Sequence, residues 1–139
     1  MIICDEPVPP QAVSIQTQII NLLKDLQEQL SLSYLFISHD LNVVGYLCSE
    51  VAVMYKGYIV EYAPADELFD NPLHPYTNLL LSAAPDADID QTPIDPTADD
   101  EISDPSAVQT GCSFGKKCPT HRPVCDEAEV GLKKVGDNH

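Results

Sequence analysis

The chain has 139 residues, 44% of them hydrophobic, and a formal charge of −15, which suits one domain or a small domain with a tail. That charge argues against nucleic acid, whose binding depends on cationic neutralisation of phosphates, and against docking on an anionic lipid surface. No apolar run approaches the roughly 18 to 20 residues needed to span a bilayer, and acids at positions 5 and 6 stand where a basic leader region would sit. The expectation is a cytoplasmic protein whose five cysteines serve packing or metal ligation rather than disulfides.

Residues 1–6 (Met-Ile-Ile-Cys-Asp-Glu) read as a buried strand that ends on two carboxylates. Pro9 and Pro10 break regular structure, since each lacks a backbone donor. From Ser14, a candidate N-cap, Ile15, Ile19, Leu22, Leu23, Leu26 and Leu30 recur at helical spacing, with Asn21, Lys24, Asp25 and Glu28 on the other face. Tyr34-Leu35-Phe36-Ile37 is a second strand, ending in Ser38-His39-Asp40, and residues 41–48 form a short helix. Val51 to Tyr55 and Tyr58 to Tyr62 flank Lys56-Gly57 as a hairpin. Helices are expected over residues 65–70 and from about His74 to Ala84, the latter stopped by Pro85. The strand, helix, strand order predicts an α/β fold with a parallel sheet. Residues 86–106 carry eight acids, three prolines and no base, too little apolar surface to offset ordering entropy, and so read as a solvated linker. Cys112, Cys118 and Cys125 follow in a compact module spaced C-x5-C-x6-C.

Acids at the C-terminal end of a parallel strand occupy the edge where open α/β sheets bind ligands. Asp5 and Glu6 suit metal–phosphate chemistry: one carboxylate reaches Mg²⁺ through its water shell, and the next orients and deprotonates an attacking water. His39, at the tip of the neighbouring strand, is expected on the same rim. Cys4 and Cys48 read as small hydrophobes.

Ile2-Ile3-Cys4-Asp5-Glu6-Pro7 resembles the Walker B segment of ABC-transporter ATPases, and Ile37-Ser38-His39-Asp40-Leu41 resembles their H-loop. Met54 to Glu61 looks like the hairpin that follows. Asn71-Pro72-Leu73-His74-Pro75-Tyr76-Thr77 and Gly111-Cys112…Cys118-Pro119…Cys125 are similar to the C-terminal extension of the oligopeptide/dipeptide importer ATPases. The resemblance implies the C-terminal half of a P-loop ATPase domain over residues 1–84, an acidic linker over 85–110 and a cysteine extension over 111–139. It implies that Asp5 helps hold Mg²⁺, that Glu6 acts on the hydrolytic water, and that His39 contacts the γ-phosphate of ATP and holds Glu6. Its partners would be transmembrane permease subunits and a second ATPase subunit, identical or not, at the inner face of the cell membrane. The chain would then power peptide import.

Two departures qualify this. The four positions where the family shows a Ser-Ala-Leu-Asp run are Pro9, Pro10, Gln11 and Ala12, so the carboxylate acting across the dimer is missing. No G-x-x-x-x-G-K-[ST] loop or signature motif occurs in these residues, so the chain alone is expected neither to bind ATP tightly nor to hydrolyse it. The resemblance also brings an iron–sulfur cluster on Cys112, Cys118 and Cys125, but the set is one ligand short. His121 is a candidate fourth ligand for a Cys₃His zinc site, and free thiols are the simplest state. Two alternative readings stand beside the motor: a non-catalytic interaction or iron–sulfur module, and a non-functional remnant.

Overall fold

The computed structural model describes residues 1–8, 13–83, 111–127, 131–136 and 139. The Pro9–Ala12 loop, Pro85 and the acidic linker therefore lie outside the described residues. The chain is mixed α/β and divides into two compact units, Met1–Ser49 and Glu50–His139.

In the first unit, β1 (Ile2–Asp5), α1 (Val13–Leu30), β2 (Tyr34–Ile37) and α2 (Leu41–Leu47) follow in order. β1 and β2 pair in parallel with Ile3 opposite Leu35 and Asp5 opposite Ile37. Backbone bonds from the Ile2 amide to the Ser33 carbonyl (2.8 Å) and from the Glu6 amide to the Ile37 carbonyl (2.9 Å) carry the pairing one step past each end. α1 begins at Val13, so Ser14 lies inside the helix and is not its cap. The helix ends with Ser31 in the left-handed region (φ 50°) and the Leu32 amide bonded back to the Gln27 carbonyl at 3.1 Å. This is a Schellman closure with serine where glycine is usual.

The expected apolar stripe of α1 is only partly covered: Ile19, Leu23 and Leu26 are half-buried, while Ile15, Leu22 and Leu30 are exposed, and the buried position is Ile20, which the expected stripe did not include. Ile3, Leu35 and Ile37, which alternate onto one face of the strand pair, are exposed as well. The cause is arithmetic. Two strands are too few to cover an 18-residue helix, and parallel pairs normally have both faces buried. Among the described residues of this unit Val43 and Val44 of α2 are the other buried positions, and the Lys24 ammonium lies 4.7 Å from the centroid of the Tyr46 ring, tying α1 to α2. Cys48 caps α2 and is half-buried, and burial pushes its thiol pKa up. It packs as an inert apolar group.

The second unit opens with an antiparallel hairpin, β3 (Glu50–Tyr55) and β4 (Tyr58–Pro64), with a bulge between Val53 and Met54. Both turn residues have positive φ, 47° at Lys56 and 85° at Gly57, the twist that two-residue hairpin loops require. α3 (Ala65–Asp70) and α4 (Pro75–Ser82) follow, then a 3₁₀ turn (Gly115–Lys117) and a single helical turn, α5 (Val124–Glu127). α4 starts one residue later than expected because His74 is its cap: Pro75 takes the first helical position, and the His74 Nδ1 accepts from the Tyr76 amide at 3.1 Å.

Val51, Val53, Ala63, Ala65 and Leu68 form the core. The cysteine-bearing segment joins it through Phe114, which is 3% exposed. Its ring centroid lies 5.3 Å from Tyr55 in an edge-to-face contact, 5.4 Å from Tyr76 and 5.8 Å from His74. Such offset and edge-on packing is the favoured aromatic geometry.

Candidate functional site

The parallel register sets the site. Asp5 closes β1 opposite Ile37, so the next residue on each strand, Glu6 and Ser38, stands at the same rim. One residue further, His39 Nδ1 is 2.8 Å from Glu6 Oε1. A carboxylate only accepts, so Nδ1 carries the hydrogen and the outer nitrogen, Nε2, is the one left to meet a ligand. Both groups remain open to water, with 76% of the His39 side chain and 48% of the Glu6 side chain exposed. The hydrogen bond to Glu6 is the main cause, and the Glu6 charge the second, of a His39 pKa above the ordinary imidazole value.

Backbone geometry aims both groups. Glu6 has φ 46°, a left-handed conformation that side-chain-bearing residues seldom adopt and that recurs at functional positions. It turns the chain out of β1 directly after Asp5. His39 sits between two short-range locks. The Asp40 amide donates to Ser38 Oγ at 3.1 Å, and Asp40 Oδ1 accepts from the Asn42 and Val43 amides at 3.1 and 3.3 Å as the N-cap of α2. Ser38 and Asp40 were visible in the sequence as strand-end polar residues and as the neighbours of His39 in the H-loop-like segment, without a role of their own. The signal for their role is the S-x-D pattern ahead of an apolar helix.

Glu6 and His39 thus come together, with Asp5 exposed beside them on β1. The cysteines do not form the expected ligand set. All three are free and half-buried, and among the described residues no three His, Cys, Asp or Glu side chains are grouped to hold a metal. Cys118 Sγ lies 3.3 Å from the Thr120 hydroxyl, and His121, the candidate fourth ligand, is 3.0 Å from Asp126 through its Nε2. Neither an iron–sulfur cluster nor a zinc site finds support in this geometry.

One polar centre was missed. Glu61, inward on β4 and 3% exposed, accepts from the Leu73 amide (2.7 Å), the His74 amide (3.1 Å) and His139 Nε2 (2.7 Å). Desolvation pushes its pKa up, but the nearby Thr77 hydroxyl, the two amides and the imidazole outweigh it, and the net direction is down. Thr77 Oγ1 makes no hydrogen bond of standard geometry, so its effect is that of a close dipole. The pattern Val-Glu-Tyr in an alternating strand was the available sign, because it places an acid on the inward face.

Residues 60–125 match the family described as the oligopeptide/dipeptide transporter, C-terminal region. The whole chain is 43% identical over 143 aligned positions to the oligopeptide transport ATP-binding protein AppF of Bacillus subtilis, covering 43% of that protein. It is 45% identical over 135 residues to the oligopeptide transport ATP-binding protein OppF of Escherichia coli, with 96% of this chain and 40% of that protein aligned. The Salmonella typhimurium OppF matches at the same identity and coverage. The chain spans less than half the length of the curated relatives it matches.

Proposed function

Because the chain belongs with the ATP-binding subunits of oligopeptide/dipeptide importers, we propose that it supplies the hydrolytic rim and the C-terminal extension of such a subunit. The whole subunit would couple ATP hydrolysis to uptake of short peptides. It would work as a pair with a second ATP-binding subunit against a membrane permease, at the inner face of the cell membrane. Among the described residues no helix is long and apolar enough to cross a membrane. On this reading residues 1–84 are the later half of a P-loop ATPase domain, 85–110 a solvated acidic linker and 111–139 the extension.

One observation carries the proposal: the 2.8 Å contact between Glu6 and His39 at the rim of a parallel strand pair. Glu6 orients a water and takes its proton as that water attacks the γ-phosphate. His39 fixes the Glu6 carboxylate with its Nδ1 hydrogen and turns Nε2 toward the phosphate. The donor set at the rim is hard oxygen, which fits Mg²⁺. Asp5 would hold the ion through its water shell. The ion supplies neutralisation of phosphate charge. The G-x-x-x-x-G-K-[ST] motif, whose amides cradle phosphates, does not occur in these 139 residues, so on this reading the chain by itself binds ATP weakly and does not hydrolyse it.

The test is a chimera in which this chain replaces the matching segment of the E. coli relative. It should release phosphate from ATP, and Glu6→Gln should still bind ATP while slowing release by roughly 10²- to 10⁴-fold, the usual contribution of a general base. A Glu6→Gln chimera that turns over at the parent rate refutes the assignment. So does tight, Mg²⁺-dependent ATP binding by the chain alone.

A further inference from the structure

The backbone brings Cys112 and Cys125 together. The Cys112 amide donates to the Cys125 carbonyl oxygen at 2.7 Å. With ordinary bond lengths on either side of that hydrogen bond, the two Cα atoms lie at most about 6.6 Å apart. A disulfide bridges Cα atoms about 4.4–6.8 Å apart. The close approach needs glycine before Cys112, because a Cβ on Gly111 would run into the Cys125 carbonyl oxygen. Each cysteine is also held locally: the Gly115 amide donates to the Cys112 carbonyl at 3.0 Å, and the Cys125 amide to the Arg122 carbonyl at 2.8 Å. Cys118 is engaged elsewhere, its sulfur 3.3 Å from the Thr120 hydroxyl.

The charge around the pair opposes that of the chain. Residues 112–125 carry Lys116, Lys117 and Arg122 and no Asp or Glu, in a chain whose formal charge is −15. A small anion is drawn to this stretch and repelled by the remainder. We propose that Cys112 and Cys125 are a reversible redox pair, joined as a disulfide by exchange with an anionic low-molecular-weight disulfide of the glutathione class.

The exchange takes two steps. One thiolate of the pair attacks a sulfur of the small disulfide, forming a mixed disulfide and releasing one small thiolate. The second thiolate attacks the protein sulfur of that mixed disulfide and releases the other. One protein S–S bond forms and the small S–S bond is lost. The two electrons and two protons given up by the protein thiols leave on two small thiols. The second step joins groups already held side by side, so it outruns reaction of the second thiol with further reagent. The new bond closes the loop that carries Phe114, whose ring packs against Tyr55, Tyr76 and His74, and so restrains the docked segment. In a reducing compartment the bond is transient and forms when the small-disulfide pool rises.

The test treats the full chain with glutathione disulfide in buffer and in concentrated urea, blocks the remaining thiols with N-ethylmaleimide and maps linked peptides by mass spectrometry. Closure in an unfolded chain favours short loops, and Cys112–Cys125 is the longest of the three pairings in this stretch. In buffer that link should exceed Cys112–Cys118 and Cys118–Cys125 together roughly tenfold, should revert with dithiothreitol and should form as fast in Cys118→Ser. In urea the preference should vanish. The same distribution of links in buffer and in urea overturns the pair, as do glutathione adducts that accumulate on both Cys112 and Cys125 in buffer without closing. Closure should also raise the exchange protection of the Lys117 amide roughly hundredfold, the scale set by a loop of this length, and unchanged protection overturns the restraint.

Discussion

Replacing Phe114 by alanine should release the cysteine-bearing segment from the hairpin. Among the described residues Phe114 is the buried large hydrophobic side chain of residues 111–127, at 3% exposure, whereas Val124 is 61% exposed. The hydrogen bonds from the Cys112 amide to the Cys125 carbonyl and from the Lys117 amide to the Phe114 carbonyl run within this stretch. Truncation of a buried Phe costs about 3–5 kcal/mol. The three ring contacts with Tyr55, Tyr76 and His74 add about 0.5–1.5 kcal/mol each beyond area burial. Because these terms overlap, the expected loss is about 4 kcal/mol, more than a small docked segment retains. Phe114→Leu keeps most of the apolar volume and should lose about 1–2 kcal/mol. Amide exchange by residues 112–118 measures the docking, and urea titration followed by tyrosine emission measures the hairpin. The reasoning fails if Phe114→Ala leaves exchange unchanged, or if leucine costs as much as alanine.

Other outcomes follow from single groups. Asp40→Ala removes the cap on α2 and should cost about 1 kcal/mol by urea titration, with His39 losing its fixed approach to Glu6 in the NMR spectrum. Glu6→Gln should lower the His39 pKa, read from its ring resonances, since the Glu6 hydrogen bond and charge are the main causes of the upward shift. In the parent protein that raised pKa gives a stabilising contribution fully present below about 6.5, the ordinary imidazole value, and lost as pH rises through the folded-state pKa. His74 works in the opposite sense. Burial lowers its pKa, so its contribution is present above the ordinary value and lost as pH falls through the folded one, when the Nδ1 acceptor for the Tyr76 amide is protonated. The protection factor of the Tyr76 amide, its exchange relative to an unstructured amide at the same pH, should therefore fall in mild acid. Gly111→Ala should disrupt the segment, because a Cβ there would run into the Cys125 carbonyl oxygen in a backbone at φ 90°, and loss of protection at Cys112 reports it.

Local chemistry explains which parts of this fold the sequence announced. Lys56-Gly57 marks its hairpin because two positive φ values need residues tolerant of them. The Ala65–Asp70 helix and the Tyr34–Ile37 strand are bounded by prolines and polar residues that end regular structure on both sides. Parallel pairing of β1 with β2 followed from two apolar runs separated by one amphipathic helix. It is this pairing that brings Glu6 to His39. What stayed hidden depends on distance. Nothing near Glu61 in the chain reveals that its third donor lies at residue 139, and nothing in C-x5-C-x6-C spacing reveals whether three thiols converge. Ser14 misled for a related reason: a capping residue type does not act as a cap when the helix already includes the residue before it.

The Glu6–His39 pair is at once formed and wet, and this decides how it can act. With most of the imidazole in water, the two groups attract through a dielectric near that of the solvent, where unit charges 4 Å apart are worth about 1 kcal/mol. The same contact in a site that excludes water gains several-fold, because fixed charges then need no solvent reorganisation as the reaction charge develops. The rim adjoins an apolar face, Ile3, Leu35 and Ile37, that is itself exposed, although a parallel strand pair is normally covered on both sides. A surface that covers this face would also dehydrate the rim beside it.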